Sequence, residues 1–216
     1  MGLFIKDEGN RFKNGYVTSQ FYSVGQRPLK LVVGLGNIGK EYERTRHNVG
    51  FMIVDMYRDK HELEAWSEKS KFKASASEGL IDNTPVMLVK PHTMMNLSGE
   101  AIKALKTYYK IENENILVVY DELDVPFGTI RTRIGGGSAG HNGIKSLIDA
   151  IGDSFWRVRI GVQNKQASDM DSADFVLGRF SADEEKSLGL MTTEAGSLIT
   201  EFLNDQIKEE TRKFLL

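Results

Sequence analysis

Residues 29–57 read LKLVVGLGNIGKEYERTRHNVGFMIVDMY, and the way this stretch divides decides the fold. Leu29–Leu35 is a short apolar run of the kind that forms a strand buried on both faces. Val49, Met52, Ile53 and Met56 then recur at i, i+3, i+4 and i+7, so a helix starts near Asn48. Between strand and helix lies a long polar loop. Its glycines match G-x-G-x-x-G (Gly34, Gly36, Gly39), and Asp55 follows at about the distance a dinucleotide fingerprint expects. That motif needs a helix opening at the third glycine, with its N-terminus aimed at the pyrophosphate. Here KEYERTRHN (residues 40–48) has one aromatic and no apolar face, and Asp55 falls inside the helix. The loop therefore reads as a carrier of polar side chains, with a dinucleotide-binding oxidoreductase kept as a competing class.

Working outward, Val86–Lys90 and Ile116–Tyr120 are further buried-strand candidates, with a helix between them marked by Ile102, Leu105, Tyr108 and Tyr109. Thr129–Ile134 and Phe155–Val162 alternate as half-exposed strands do. Ile144, Leu147, Ile148 and Ile151 mark a helix stopped by Gly152, and a last helix runs roughly from Asp183 to Leu203. This alternation predicts an α/β fold: a single domain with a mixed, mostly parallel sheet and helices on both faces. The domain spans residues 29–216. Residues 1–28 mix charge, glycine and aromatics without period and read as an N-terminal extension to which no role attaches.

Composition narrows the classes. A 216-residue chain with 40% apolar and 27% charged residues suits one soluble domain whose core needs no disulfide or structural metal. It contains no cysteine, which removes disulfide frameworks, thiolate zinc sites and thiol nucleophiles and fits a reducing compartment. A net charge of −2 means that any RNA footprint is local. No apolar run is long enough to span a membrane. The first residues are too polar for a signal peptide, and Lys6 stands where myristoylation expects Ser or Thr.

Gly136-Gly137-Ser138-Ala139-Gly140 matches G-x-S-x-G, but a nucleophile elbow needs an acid and then a histidine downstream. The histidine that follows, His141, is too close in sequence to fold back as a triad base. The four histidines (47, 61, 92, 141) lack metal-ligand spacing, so no metal is expected. What remains is a set of loops after strand candidates: Asn37, Tyr42 and His47 in the first; Met94 and Asn96 in the second; Asp121 at the end of a strand; and GGGSAGHNG (residues 135–143) leading into a helix with Asn142. Each has a plain structural reading, such as helix capping for Asn96 and Asn142. Jointly they make chemical sense. One histidine near neutral pH, a carboxylate to fix its tautomer, and amides to hold an oxyanion suit water attack on an activated carbonyl.

The stretches VVGLGNIGKEYERTRHNVGF (32–51), MMNLSGEAI (94–102), VVYDELDVPFG (118–128), GGGSAGHNGIKS (135–146) and DFVLGRF (174–180) together resemble the bacterial-type peptidyl-tRNA hydrolase family. The resemblance implies a single α/β domain. Its activity would be cleavage of the ester between a peptide and the tRNA 3′ ribose, with no cofactor or metal, by a cytoplasmic monomer. It implies that His47 is the base, Asp121 its orienting partner, and Asn37 the residue that tells peptidyl from free aminoacyl groups. Asn96 and Asn142 would hold the peptide main chain and the water or oxyanion. Tyr42 and Met94 would line the cleft near the tRNA 3′ end. Arg133 and Arg159 match cationic positions that would grip acceptor-stem phosphates, beside Arg131 and Arg157.

Three positions depart from the family pattern. Ile38 replaces the usual proline next to Asn37, removing a φ constraint; Met94 stands where phenylalanine is common; and Tyr120 precedes Asp121 where some members carry histidine. These bear on affinity more than on reaction type. A non-catalytic RNA-binding relative is the second competing class, against which the intact His47, Asp121 and asparagine set weighs.

Overall fold

The run KLVVG forms β1 (Lys30–Gly34), and all of it is buried. Its side chains alternate between two cores. Leu31 and Val33 enter one hydrophobic cluster and Val32 the other, which is why the strand reads as an uninterrupted apolar run. The computed structural model describes residues 27–214, so residues 1–26 of the N-terminal extension lie outside the described part. After β1 come α1 (Val49–Lys60), β2 (Ser67–Lys69), β3 (Ala74–Ile81), β4 (Thr84–Pro91), α2 (Ser98–Tyr109), β5 (Ile116–Pro126) and β6 (Thr129–Ile134). The chain then forms α3 (Asn142–Ile151), β7 (Trp156–Gln163), α4 (Ser172–Leu177), α5 (Ala182–Leu203) and β8 (Glu210–Lys213).

Among the described residues the strands make one 8-stranded sheet in the order β2-β3-β4-β1-β5-β7-β6-β8. The mixed α/β sheet matches the sequence expectation, but its parallel part is smaller than expected. The central pairs β4–β1, β1–β5 and β5–β7 are parallel, while β2–β3, β3–β4, β7–β6 and β6–β8 are antiparallel. The cause at one edge is a tight hairpin. Asp82 and Asn83 both take positive φ, 49° and 61°, the conformation that lets a two-residue turn follow the twist of its strands. Helices cover both faces: α1 and α5 pack over Val32, Leu117 and Val158, and α2 and α3 over Leu31, Val33 and Val118.

The glycine loop serves packing rather than phosphate binding. A Cβ on Gly50 would lie 2.3 Å from the Val119 carbonyl oxygen, and one on Gly34 would lie 2.5 Å from the Gly50 carbonyl oxygen. A Cβ on Gly36 would enter the Phe51 ring at 2.7 Å. The space a pyrophosphate would need is filled by α1, which begins at Val49 as its periodicity predicts. Asp55 is equally committed, since Lys90 Nζ donates to its Oδ1 at 2.6 Å. The dinucleotide reading is thereby overturned. With α1 following β1 on one face and α2 following β4 on the other, a crevice opens beyond the carboxyl ends of β4, β1 and β5, where α/β sheets place their sites.

Candidate active site

His47 sits in a 3-10 turn (Arg46–Asn48) immediately before α1, and Asp121 on β5 just beyond the point where β1 stops pairing with it. His47 Nδ1 lies 2.9 Å from Asp121 Oδ1 and 3.1 Å from Oδ2. Asp121 is 2% exposed and His47 8%. Burial alone would raise the Asp121 pKa, but the charge and hydrogen bonds of the two imidazoles beside it, His47 and His141, hold the carboxyl well below the usual carboxylate range. An ionised carboxylate only accepts, so His47 Nδ1 carries the hydrogen of this bond, and in the neutral ring the lone pair is on Nε2.

His141, which the sequence reading did not place in the site, lies beside the pair and lines the same cleft. Its Nε2 lies 3.1 Å from Asp121 Oδ1. Its Nδ1 accepts from the backbone N–H groups of Gly143 and Ile144 at 3.1 and 3.2 Å and so caps α3. Those two donors fix the tautomer, because an Nδ1 that accepts leaves the hydrogen on Nε2. Asp121 therefore accepts an N–H hydrogen from each of the two imidazoles. Tyr120, pushed up to about 12 by burial and by the nearby Glu122, is a neutral phenol whose ring meets His141 edge-on at 4.9 Å.

This geometry also answers the metal and serine questions. The ligating atoms of His47, Asp121 and His141 lie within 4.8 Å of one another, a proximity that sequence spacing hides because they come from three loops. A cation on His141 Nε2 would need the lone pair there, forcing the hydrogen onto Nδ1 against two backbone donors. The donor set does not fit a metal. Nor can His141 serve Ser138 as a base, with both ring nitrogens committed.

The pair lies in a cleft of about 590 Å³ lined also by Asn37, Met94, Asn96, Glu122 and Asn142. Asn37 is held from both sides of its backbone: its N–H donates to Asn48 Oδ1 at 2.8 Å, and Asn48 Nδ2 donates to its carbonyl at 2.9 Å. Asn48 thus fixes the Asn37 backbone next to Ile38. Asn37 Oδ1 accepts from the Met95 N–H at 2.9 Å, which leaves its NH₂ for the cleft. Asn96 and Asn142 are not helix caps; α3 is capped by His141, and the residue before α2, Leu97, makes no capping bond. Met94, 50% exposed, lines the cleft as expected, whereas Tyr42 is not among its lining residues. Tyr42 is half-buried in a separate turn (Lys40–Tyr42), where its carbonyl accepts from Thr45 Oγ1. Ala173, Val176 and Leu177 of α4 form a further wall that sequence reading did not mark as functional.

The arginines divide unequally. Arg131 faces Arg159 and Arg133 faces Arg157 across β6 and β7, so all four project from one side of the sheet. Arg157 is 2% exposed and donates to the carbonyls of Gly136 and Gly137 at 2.7 and 2.6 Å, which takes it out of any basic surface and makes it a post for the glycine loop. Arg159 Nε donates to the buried Glu122 at 3.0 Å. Arg133 is exposed and has no ion-pair partner among the described residues.

The α/β sheet thus holds a carboxylate-paired histidine in a cleft lined by three asparagine amides. Comparison with known proteins specifies the class. The family model for peptidyl-tRNA hydrolase matches residues 31–215. The peptidyl-tRNA hydrolase of Clostridium botulinum strain Hall is 42% identical over 187 residues, covering 86% of this chain and 96% of its own length. That of Clostridium perfringens is 42% identical over 185 residues, covering 85% and 96%. Among solved structures, a peptidyl-tRNA hydrolase in complex with N-propanol aligns with a TM-score of 0.77 at 36% identity, covering 82% of this chain and 90% of that one. The Acinetobacter baumannii peptidyl-tRNA hydrolase aligns with a TM-score of 0.76 at 34% identity, covering 85% and 93%. The chain belongs to the peptidyl-tRNA hydrolase family. No helix among the described residues is long and apolar enough to cross a membrane.

Proposed function

We propose that this chain hydrolyses the ester between a peptide and the 3′ ribose of tRNA, with His47 as general base. The carrying observation is the hydrogen bond from His47 Nδ1 to Asp121, which leaves Nε2 as a lone-pair base in a cleft of amide donors. Nε2 takes a proton from water as the water oxygen adds to the ester carbonyl. Asp121 stabilises the imidazolium that forms, and the amides of Asn96 and Asn142 hold the peptide main chain and the developing oxyanion. Collapse breaks the ester bond, and the imidazolium returns its proton to the departing ribose 3′ oxygen. The products are a peptide acid and tRNA with a free 3′ hydroxyl. No step calls for a cofactor or a metal.

Selectivity follows from Asn37. With Oδ1 tied to Met95, its NH₂ offers hydrogens only. A peptidyl group presents an amide carbonyl that accepts one; a free aminoacyl group presents an ammonium, and two donors facing each other bind poorly. Arg133, with Arg131 beside it, supplies the phosphate contacts of the acceptor stem, and Arg159 contributes less because Glu122 shares its charge. Met94 meets the tRNA 3′ end at the cleft. Tyr42 would reach that end only from outside the cleft lining. In this reading the enzyme is a cytoplasmic monomer whose catalytic unit is residues 29–216.

The test is release of tRNA from N-acetylated and unblocked aminoacyl-tRNA by the purified protein. Turnover of the blocked substrate with little attack on the unblocked one is expected. Equal turnover of both, or none of either, would contradict the reading.

A further inference from the structure

The α4 wall of the cleft has no strength of its own. It is a 6-residue helix, too short to persist without packing, yet Ala173, Val176 and Leu177 line the substrate cleft. Phe175 and Val176 anchor it in the hydrophobic core, and on the side of the base it packs on Arg46, the residue directly before His47. The Arg46 N–H donates to Gly178 O at 3.0 Å, and Thr45 forms an antiparallel bridge with Arg179. The Arg46 guanidinium lies 4.3 Å from the Phe175 ring centroid and donates to Glu184 Oε2 at 2.9 Å. Glu184 also accepts from Asn164 Nδ2 and from the Ser181 N–H, both at 2.7 Å. The Arg46 and Glu184 side chains are 5% and 9% exposed. Glu184 would complete the capping box of α5 with Ser181 alone. Capping therefore does not account for the arginine, and a buried ion pair adds little net stability over apolar packing. Its geometry does account for it: one guanidinium joins the loop bearing His47 to Phe175 within α4 and, through Glu184, to Ser181 after α4 and Asn164 before it.

We propose that Arg46 and Glu184 are positioning residues that hold the α4 wall over the cleft, so that wall and base keep one spacing. This rests on the hydrolase reading above for its substrate. The test is Arg46→Lys in the full chain, which keeps the charge but loses the fork, alongside Asn164→Ala, which leaves the pair intact and removes one support. KM and kcat for N-acetylaminoacyl-tRNA, the pH profile of kcat, and amide hydrogen exchange over residues 172–177 are measured for both. KM should rise about fivefold or more in Arg46→Lys with kcat within about threefold. Exchange should quicken, the pH profile should not move, and Asn164→Ala should change in the same sense by less. Unchanged KM and exchange would overturn the proposal, as would a fall in kcat with a moved pH profile, which would mean that His47 had shifted instead. A wild-type protein without hydrolase activity would overturn the functional reading, while the exchange measurement would still decide the strut.

Discussion

His141 Nε2 lies 3.1 Å from Asp121 Oδ1, the oxygen that also faces His47 Nδ1 at 2.9 Å. One carboxylate thus locks two imidazoles, and the second of them caps the helix that presents Asn142. His141→Ala should lower kcat by about tenfold, less than the roughly 10²–10⁴ that a general base itself contributes. It should also destabilise the fold by about 1 kcal/mol, the usual cost of a lost cap. His141→Asn, which retains a capping acceptor, should recover the stability and less of the rate. Kinetics and thermal unfolding of the two variants separate these contributions.

Asp121→Asn offers the imidazole a donor as well as an acceptor and so permits the wrong tautomer. A fall in kcat of about 10²–10⁴-fold is expected, with KM changed far less.

The acid behaviour of the fold follows from the same carboxylate. Because Asp121 and Glu184 titrate below their unfolded values, their charged forms stabilise the protein above about pH 4, and that contribution is lost as pH falls further. Denaturant unfolding should show wild type losing stability faster than Asp121→Asn below about pH 4.

Arg133 and Arg159 should separate in salt titrations of tRNA binding. Arg133→Ala should reduce the slope of log affinity against log salt by about one. Arg159→Ala should reduce it by clearly less, because Glu122 already neutralises part of its charge.

Gly50→Ala tests the packing account of the glycine loop. Its Cβ would sit 2.3 Å from Val119 O, against backbone that cannot step aside, so a loss of about 1–3 kcal/mol is expected in denaturant unfolding.

The centre of the molecule was legible because its signals are strong and local. β1, β4 and β5 are apolar runs closed on both faces; α1 begins at the predicted Val49, and α5 ends at Leu203. The edges were not. β2 (SEK) and β8 (ETRK) carry no apolar pattern, and β3 (ASASEGLI) is made largely of small residues that only its hairpin with β4 turns into a strand. The Asp82-Asn83 dipeptide between Ile81 and Thr84 was the available signal for that hairpin. His47, Asp121 and the three asparagines could be named from their loops, but His141 could not. Its partner lies on β5, and its neighbour Ser138 suggested the wrong chemistry. The arginine pattern showed correctly which residues share a face of β6 and β7. It could not show that Glu122 and two glycine carbonyls would claim two of the charges.

The central claim is that His47 Nε2 is the base. Single-turnover hydrolysis of N-acetylaminoacyl-tRNA by His47→Ala, with binding of the substrate measured on the same preparation, tests it most directly. Binding within a few-fold of wild type and a rate lower by about 10²–10⁴ are expected. A variant that binds and still cleaves at the wild-type rate would contradict the account.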